Sequence, residues 1–367
     1  MTLHLPQNSP TVYSVKRVPD YKNNSLKAWN TSDEFMLWYV THHKLSSLPH
    51  LIINDAFGYL SSHFMSDNST VVYHLKSQLE AIEFNLKLHL KTFTPQQFIT
   101  PLDPTKSKVQ LALIKIPKSL ELFELFLQQI HQNSDSNITV VCGFMTKYFT
   151  PQLLKIASNY FNDVKQTKAW KKSRLLVLSV PKQVKYQSII QDIRSEYGTI
   201  KQYKGVFSSG HIDYATQFLI KNLAIPQQAD TILDLASGNG ILAKVIYQKH
   251  PKANIHLVDD SILAIKSSEL NLSGQSFYFH HTHHLDEFNT NTFDYIISNP
   301  PFHLEHEIDL SLPKRLFTNA QRVLKPNGIF ELVANRHLKY YPILKRLFSR
   351  VDVKAQNAKF IVYSCRL

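Results

Sequence analysis

The sequence predicts an α/β protein built from two tandem domains, each a doubly wound sheet flanked by helices. Three observations carry this. The chain has 367 residues, whereas a single hydrophobic core stops growing near roughly 250–300 residues. Apolar strand segments alternate with helical segments through residues 231–367, the rhythm of a parallel sheet with crossover helices. A weaker version of that rhythm runs through residues 1–190.

In the second domain the expected strands are 231–235, 254–258, 276–280, 293–298 and 329–333. Between the first two, Ile241, Leu242, Val245 and Ile246 share one face at helical spacing, so 241–249 reads as a helix. Ser261 is placed to cap the next helix, and Lys325-Pro326-Asn327-Gly328 reads as a turn. The last stretch, 351–367, alternates well enough for two strands joined at Gln356-Asn357, which adds an antiparallel edge to a parallel sheet. In the first domain the strands fall at 51–53, 71–74, 108–114, 138–141 and 175–180. Its first strand runs into Asn54-Asp55-Ala56-Phe57-Gly58, with one glycine where a nucleotide-binding turn wants several. Residues 186–204 are charged and polar without strong periodicity, and they read as a linker.

Composition narrows the function classes. Hydrophobic residues are 43% and charged residues 19%, with 22 Phe and 17 Tyr, which supports packed interiors rather than disorder. The formal net charge of +13 favours a polyanionic partner through long-range attraction and counterion release, although a basic balance also serves solubility alone. Cys142 and Cys365 are too few for a disulfide framework and have no zinc-binding spacing. No apolar run reaches the roughly 18 residues of a membrane span, and the first residues lack a secretion signal. A cytoplasmic, membrane-free protein is expected.

The chemistry lies at the carboxyl ends of the second domain's strands, where open α/β sheets bind ligands. Asp234-Leu235-Ala236-Ser237-Gly238-Asn239-Gly240 joins the first strand to its helix, and small residues there let the backbone approach a ligand closely. Asp259-Asp260 ends the second strand, near the spacing of a carboxylate that accepts hydrogen bonds from ribose hydroxyls. Together these point to a nucleoside-containing cofactor. After the fourth strand comes Asn299-Pro300-Pro301-Phe302. Consecutive prolines remove two backbone donors and leave carbonyls to face outward. An amine conjugated to an aromatic ring is a poor nucleophile, and acceptors on its protons favour the geometry in which nitrogen attacks a methyl group. Phe302 offers a face on which a base can stack. The run His280-His281-Thr282-His283-His284 invites a metal reading, but alternate residues of an extended segment point to opposite faces, so at most two imidazoles converge. No metal is expected.

The glycine turn, the acid and the Asn-Pro-Pro-Phe motif, in that order, resemble a class I S-adenosylmethionine-dependent methyltransferase acting on an exocyclic amine. The chain is similar nearly end to end to the 23S ribosomal RNA guanine-N2 methyltransferase G family. The resemblance runs through Leu51-Ile52-Ile53-Asn54-Asp55-Ala56-Phe57-Gly58, Leu113-Ile114-Lys115-Ile116-Pro117-Lys118, Ala169-Trp170-Lys171-Lys172-Ser173-Arg174-Leu175, Val206-Phe207-Ser208, Asn299-Pro300-Pro301-Phe302-His303 and Val333-Ala334-Asn335-Arg336-His337-Leu338. It implies two tandem Rossmann-like methyltransferase domains: a degenerate copy over 1–185 with a role in RNA recognition or folding, and a catalytic copy over 205–367.

By that resemblance Asp234, Ala236, Ser237, Gly238 and Gly240 line the cofactor, S-adenosylmethionine. Asp259, with Asp260 beside it, binds its ribose, and Thr282 or His283 lies near its adenine. Phe207, Ser208 and Asp213 form a lid, and Asn299, Pro300, Pro301 and Phe302 hold the target guanine. The implied partner is 23S ribosomal RNA, naked or in an assembling large subunit, and the implied state is a monomer. Ala236 stands where the family's first glycine is usual, Ser209 where arginine is usual, and Gly210-His211 reverses the family's order. RNA contacts are expected from Lys168, Lys171, Lys172 and Arg174, and from an aromatic, cationic helix carrying Lys339, Tyr340, Tyr341, Lys345, Arg346 and Arg350. Rival readings are the same chemistry on 16S ribosomal RNA, on adenine or on glutamine, and a non-catalytic RNA-binding ribosome-assembly factor.

Overall fold

The computed structural model describes residues 13–18, 27–105, 108–208, 210–300 and 311–367. Pro301, Phe302, His303 and Ser209 therefore lie outside the described residues. The chain divides into two compact units, Met1–Ser188 and Ile189–Leu367.

The first unit contains, in order, α1 (Thr31–His42), β1 (His50–Ile53), α2 (Tyr59–Phe64), β2 (Ser69–Val72), α3 (Lys76–Leu88), β3 (Phe98–Ile99), β4 (Val109–Lys115), α4 (Leu120–Asn133), β5 (Ser134–Met145), α5 (Pro151–Tyr160), β6 (Phe161–Gln166) and β7 (Ser173–Pro181). The second contains β8 (Ile190–Ser195), β9 (Gly198–Tyr203), α6 (Tyr214–Lys221), β10 (Thr231–Leu235), α7 (Ile241–Lys249), β11 (Asn254–Asp259), α8 (Ile262–Asn271), β12 (Phe277–His281), β13 (Phe293–Ser298), α9 (Ser311–Val323), β14 (Leu324–Asn335), α10 (Tyr341–Leu347), β15 (Arg350–Gln356) and β16 (Phe360–Arg366).

Each unit holds a seven-stranded sheet, and the two sheets have the same topology. The orders are β3-β2-β1-β4-β5-β7-β6 and β12-β11-β10-β13-β14-β16-β15. The first five strands in each row are parallel, and the last two join antiparallel. The sheet order turns back between β1 and β4 in one unit and between β10 and β13 in the other, and this switch point is where such sheets hold ligands.

Period-two alternation explains how β10 builds both a core and a site. Ile232 faces the cluster with α6 and α7, and Leu233 and Leu235 face the opposite cluster with α9 and α10. Asp234 falls on the α7 side and is fully buried. Helix α8 starts as expected, with Ser261 Oγ accepting from Ala264 N.

Three expectations change. The segment read as a linker at 186–204 forms the antiparallel hairpin β8–β9. It packs on α8 and buries Ile193 and Ile200. The turn at Lys325–Gly328 lies inside β14 as a register irregularity rather than ending an element. Tyr340 is not part of an exposed aromatic face: it is 1% exposed, its ring edge-on to Phe317 at 5.2 Å. Tyr341, 42% exposed beneath Lys345, is the tyrosine of that helix that stays open to solvent.

Candidate active site

The turn after β10 adopts three left-handed residues in five: Ala236 at φ 62°, Gly238 at 57° and Gly240 at 79°. Ala236 accepts this conformation at a cost of about 1 kcal/mol, because its Cβ crowds the backbone there. The chain doubles back so that Ala236 N and Ser237 N both donate to Val258 O, at 2.9 and 3.1 Å. Gly240 begins α7 where a Cβ would meet Ser268 Oγ and Leu272 Cδ1 at 3.0 Å, so the glycine serves packing against α8. At Gly238 nothing lies within 4 Å of a built Cβ. That glycine borders open space.

Two carboxylates hold the turn. Asp234 Oδ2 accepts from Ala243 N at 3.2 Å. Asp259 Oδ2 accepts from Gly238 N at 2.9 Å, and its Oδ1 accepts from Ser261 N at 2.8 Å. Burial pushes Asp234 up to about 7, and the charge of Asp259 adds to this against the Ala243 N–H. Burial likewise raises Asp259 to about 6, opposed by the Ser261 and Gly238 N–H groups. Asp260 and Thr282 lie beside this edge. His281 Nε2 bonds the Asp260 carbonyl at 3.0 Å, and Thr282 N donates to Asp259 O at 3.1 Å. His283 Nδ1 faces Arg315 at 3.3 Å.

Asn299 follows β13 and is fastened by its amide nitrogen. Nδ2 donates to Asp213 Oδ2 at 3.0 Å and to Thr216 Oγ1 at 2.8 Å. Asp213 is itself held, capping α6 by accepting from Ala215 N and Thr216 N. With both amide protons engaged, the amide has one orientation, and Asn299 Oδ1 is buried without a partner among the described residues. Asp234 Oδ1 and Ser237 Oγ are likewise buried and unpartnered among the described residues. Buried acceptors of this kind cost free energy until a ligand supplies donors. Three of them around an open glycine turn suit a ligand rich in amino and hydroxyl groups.

Besides Asp213, which bonds Asn299, the lid segment comprises Phe207 and Ser208. Phe207 is 68% exposed, and Ser208, at φ 63°, turns its hydroxyl onto His211 O at 2.8 Å. What joins it to the turn is Gln202, fully buried on β9 and absent from the sequence-based site. Its Oε1 accepts from Asn239 Nδ2 at 2.6 Å, and its Nε2 faces the carbonyls of Val206, Phe207 and Ser208 at 3.3–3.5 Å. Thr216 is absent from that site for the same reason. Each acts across a long sequence separation, with no local motif to mark it.

Residues 5–183 match the family described as the RLMG N-terminal domain, and residues 197–364 match the methyltransferase small domain. Ribosomal RNA large subunit methyltransferase G of Pseudoalteromonas translucida is 30% identical over 366 residues, covering 96% of this chain and 95% of the relative. The Vibrio vulnificus protein of the same name is 30% identical over 359 residues, covering 94% and 95%. The chain belongs to the ribosomal RNA large subunit methyltransferase G family. It is a methyltransferase, and S-adenosylmethionine is its cofactor. The two-unit fold of this family member also matches the solved 16S rRNA N2 G1207 methyltransferase of Thermus thermophilus, with a TM-score of 0.70 at 18% identity over 86% of this chain and 87% of that one. Among the described residues, no helix of this family member is long and apolar enough to cross a membrane.

Proposed function

We propose that the protein transfers the methyl group of S-adenosylmethionine to the exocyclic N2 of a guanine in 23S ribosomal RNA. The observation that carries the reading is Asn299: its amide nitrogen is tied to Asp213 and Thr216, and its carbonyl oxygen is buried with no partner among the described residues. An acceptor fixed in that way accepts a hydrogen bond from the substrate amine, which orients the nitrogen so that its lone pair is aimed at the methyl carbon while the amine keeps its protons until the N–CH3 bond has formed. Such preorganised electrostatics and positioning are what a direct displacement requires. When bound, the cofactor supplies an electrophilic methyl group on sulfonium.

Asp234, Ala236, Ser237, Gly238 and Gly240 hold the cofactor. Asp259 and Asp260 take its ribose, Thr282 and His283 border its adenine, and Phe207, Ser208 and Asp213 close over it. Pro300, which is buried, Pro301 and Phe302 complete the base pocket with Asn299. Because guanine N2 lies on the pairing edge, the base enters unpaired or flipped out of its helix. The first unit contributes RNA recognition or folding support, and the protein works as a cytoplasmic monomer. The names of the curated relatives support the large-subunit substrate.

The test is incubation of purified protein with labelled S-adenosylmethionine and, separately, unmodified large-subunit and small-subunit RNA, followed by digestion and nucleoside mass analysis. N2-methylguanosine from large-subunit RNA alone is the expected result. Methylation only of small-subunit RNA, or a methylated adenine, overturns the assignment.

A further inference from the structure

The first unit contains a turn that its sequence does not favour. Trp170 and Ser173 exchange both backbone hydrogen bonds, at 2.9 and 2.8 Å, across a two-residue connection made of Lys171 and Lys172. Both lysines are left-handed, at φ 46° and 64°. That is the pattern of a type I′ turn, whose two central positions favour Asn-Gly because other residues are strained there. Two consecutive lysines are among the less suited choices, and both are exposed.

Surrounding bonds impose the conformation. Thr31 Oγ1 donates to Lys171 O at 2.9 Å. Thr146 donates to Lys172 O from its backbone N at 2.8 Å and from Oγ1 at 3.1 Å. Ser173 Oγ donates to Trp170 O at 2.6 Å, with Thr31 O 3.2 Å from the same hydroxyl. The ends of the turn are anchored as well, since Trp170 and Ser173 are buried. A strained backbone held from several sides is characteristic of functional positions, and here its result is a rigid tip presenting two cations. Exposed Lys147 follows Thr146 directly and lies over the Tyr148 ring at 4.7 Å, as Lys171 lies over Trp170 at the same distance.

We propose that the Lys171–Lys172 turn is a preformed clamp for the phosphate backbone of the RNA substrate, with Lys147 at its side. The proposal rests on the RNA-methylating reading above and deepens it by naming where the first unit grips its partner. Fixing the two backbones before binding removes part of the ordering cost that a flexible lysine loop incurs, and each phosphate neutralised releases counterions.

A variant that improves the turn while removing its charge separates this role from a structural one. Lys171→Asn combined with Lys172→Gly supplies the residues a type I′ turn favours, so the melting temperature rises by about 2–4 °C. In a salt titration with unmodified large-subunit RNA, the slope of log affinity against log salt falls by about 1.5, since each phosphate left without its lysine removes about 0.7–0.9. Lys171→Gln with Lys172→Gln keeps the strain and lowers the slope equally without the thermal gain. An unchanged salt slope in either variant, or a melting temperature that falls on introducing Asn-Gly, overturns the proposal. If the unsubstituted protein itself fails to bind the RNA, the functional reading falls together with the clamp. A slope unchanged against a binding-competent parent removes the clamp alone.

Discussion

The same turn is built twice in this chain, and the two copies differ in what they do with one carboxylate. In the first unit Asn54 and Gly58 are left-handed, at φ 61° and 83°, and Gly58 opens α2. In the second, Ala236 and Gly240 hold the same places at 62° and 79°, and Gly240 opens α7. Each turn is tied back to the second strand, through Asn54 N to Val72 O and Ala236 N to Val258 O. In both, an aspartate satisfies the third amide of the helix. In the first unit it is Asp55, within the turn, bonding Ser61 N at 2.7 Å and Ser61 Oγ at 2.8 Å. In the second it is Asp234, back on the strand, bonding Ala243 N. The position matching Asp55 is then Ser237, whose hydroxyl stays unpartnered among the described residues. A carboxylate closes one turn on itself, and the other turn is left with open polar atoms.

Register carries the comparison to the neighbouring strands. Ile53 pairs with Val72 and Ile114, and Leu235 pairs with Val258 and Ser298. Tyr73 therefore stands where Asp259 does, and Lys115 where Asn299 does. Lys115 Nζ forms an ion pair with Asp33 Oδ2 at 2.9 Å, both groups largely buried, at the start of α1. Asn299 reaches Asp213 at the start of α6. The geometry is shared. In one unit the residue after the fourth strand closes an ion pair, and in the other it leaves a buried carbonyl oxygen without a partner among the described residues, the acceptor proposed above for the substrate.

The largest effect expected from breaking this difference is at Asn299. Asn299→Ala lowers kcat by about 100-fold, the scale of losing one preorganised transition-state hydrogen bond, while calorimetry shows S-adenosylmethionine binding retained. An unchanged kcat removes Asn299 from the chemistry. At the matching position Lys115→Met acts the other way, leaving Asp33 without its cation. It costs about 3 kcal/mol of stability by denaturant titration with kcat of the folded protein unchanged, and a loss of turnover with full stability contradicts the division of roles.

The smallest effect is a pH dependence confined to the second unit. Asp234 and Asp259 titrate near 7 and 6 in the ligand-free protein, above the ordinary aspartate value. Folding therefore favours their protonated forms. Their contribution to ligand-free stability is fully present below about pH 4 and declines as pH rises toward 7. A cationic cofactor with hydroxyl donors prefers the ionised carboxylates, so its affinity rises by about tenfold between pH 5.5 and 7.5 and then levels off. A flat affinity across that window shows that neither carboxylate faces the cofactor.

The legible parts of the site are those marked by neighbours in sequence. Gly238 and Gly240 sit between an apolar strand and an apolar helix face, and Asn299 is followed by two prolines, so each announces its turn locally. Tyr340 is misleading because a tyrosine among cations looks alike whether it faces solvent or Phe317. The hairpin β8–β9 is hidden because its buried positions include a glutamine, Gln202, which carries no apolar signal.

By itself, then, the sequence determined the α/β class, the duplication and the family, and it pointed to the strand ends proposed to bear the chemistry, because alternation, helical spacing and turn residues act within a few positions of one another. Tertiary structure decided which polar atoms are spent and which remain available. Asn299 is oriented by Thr216 from 83 residues away, the glycine turn meets Gln202 from 37 residues away, and Lys171 and Lys172 are bent into a turn by Thr31 and Thr146. Hydrogen bonds over such separations depend on where the sheet brings the chain back, which short-range pattern does not encode.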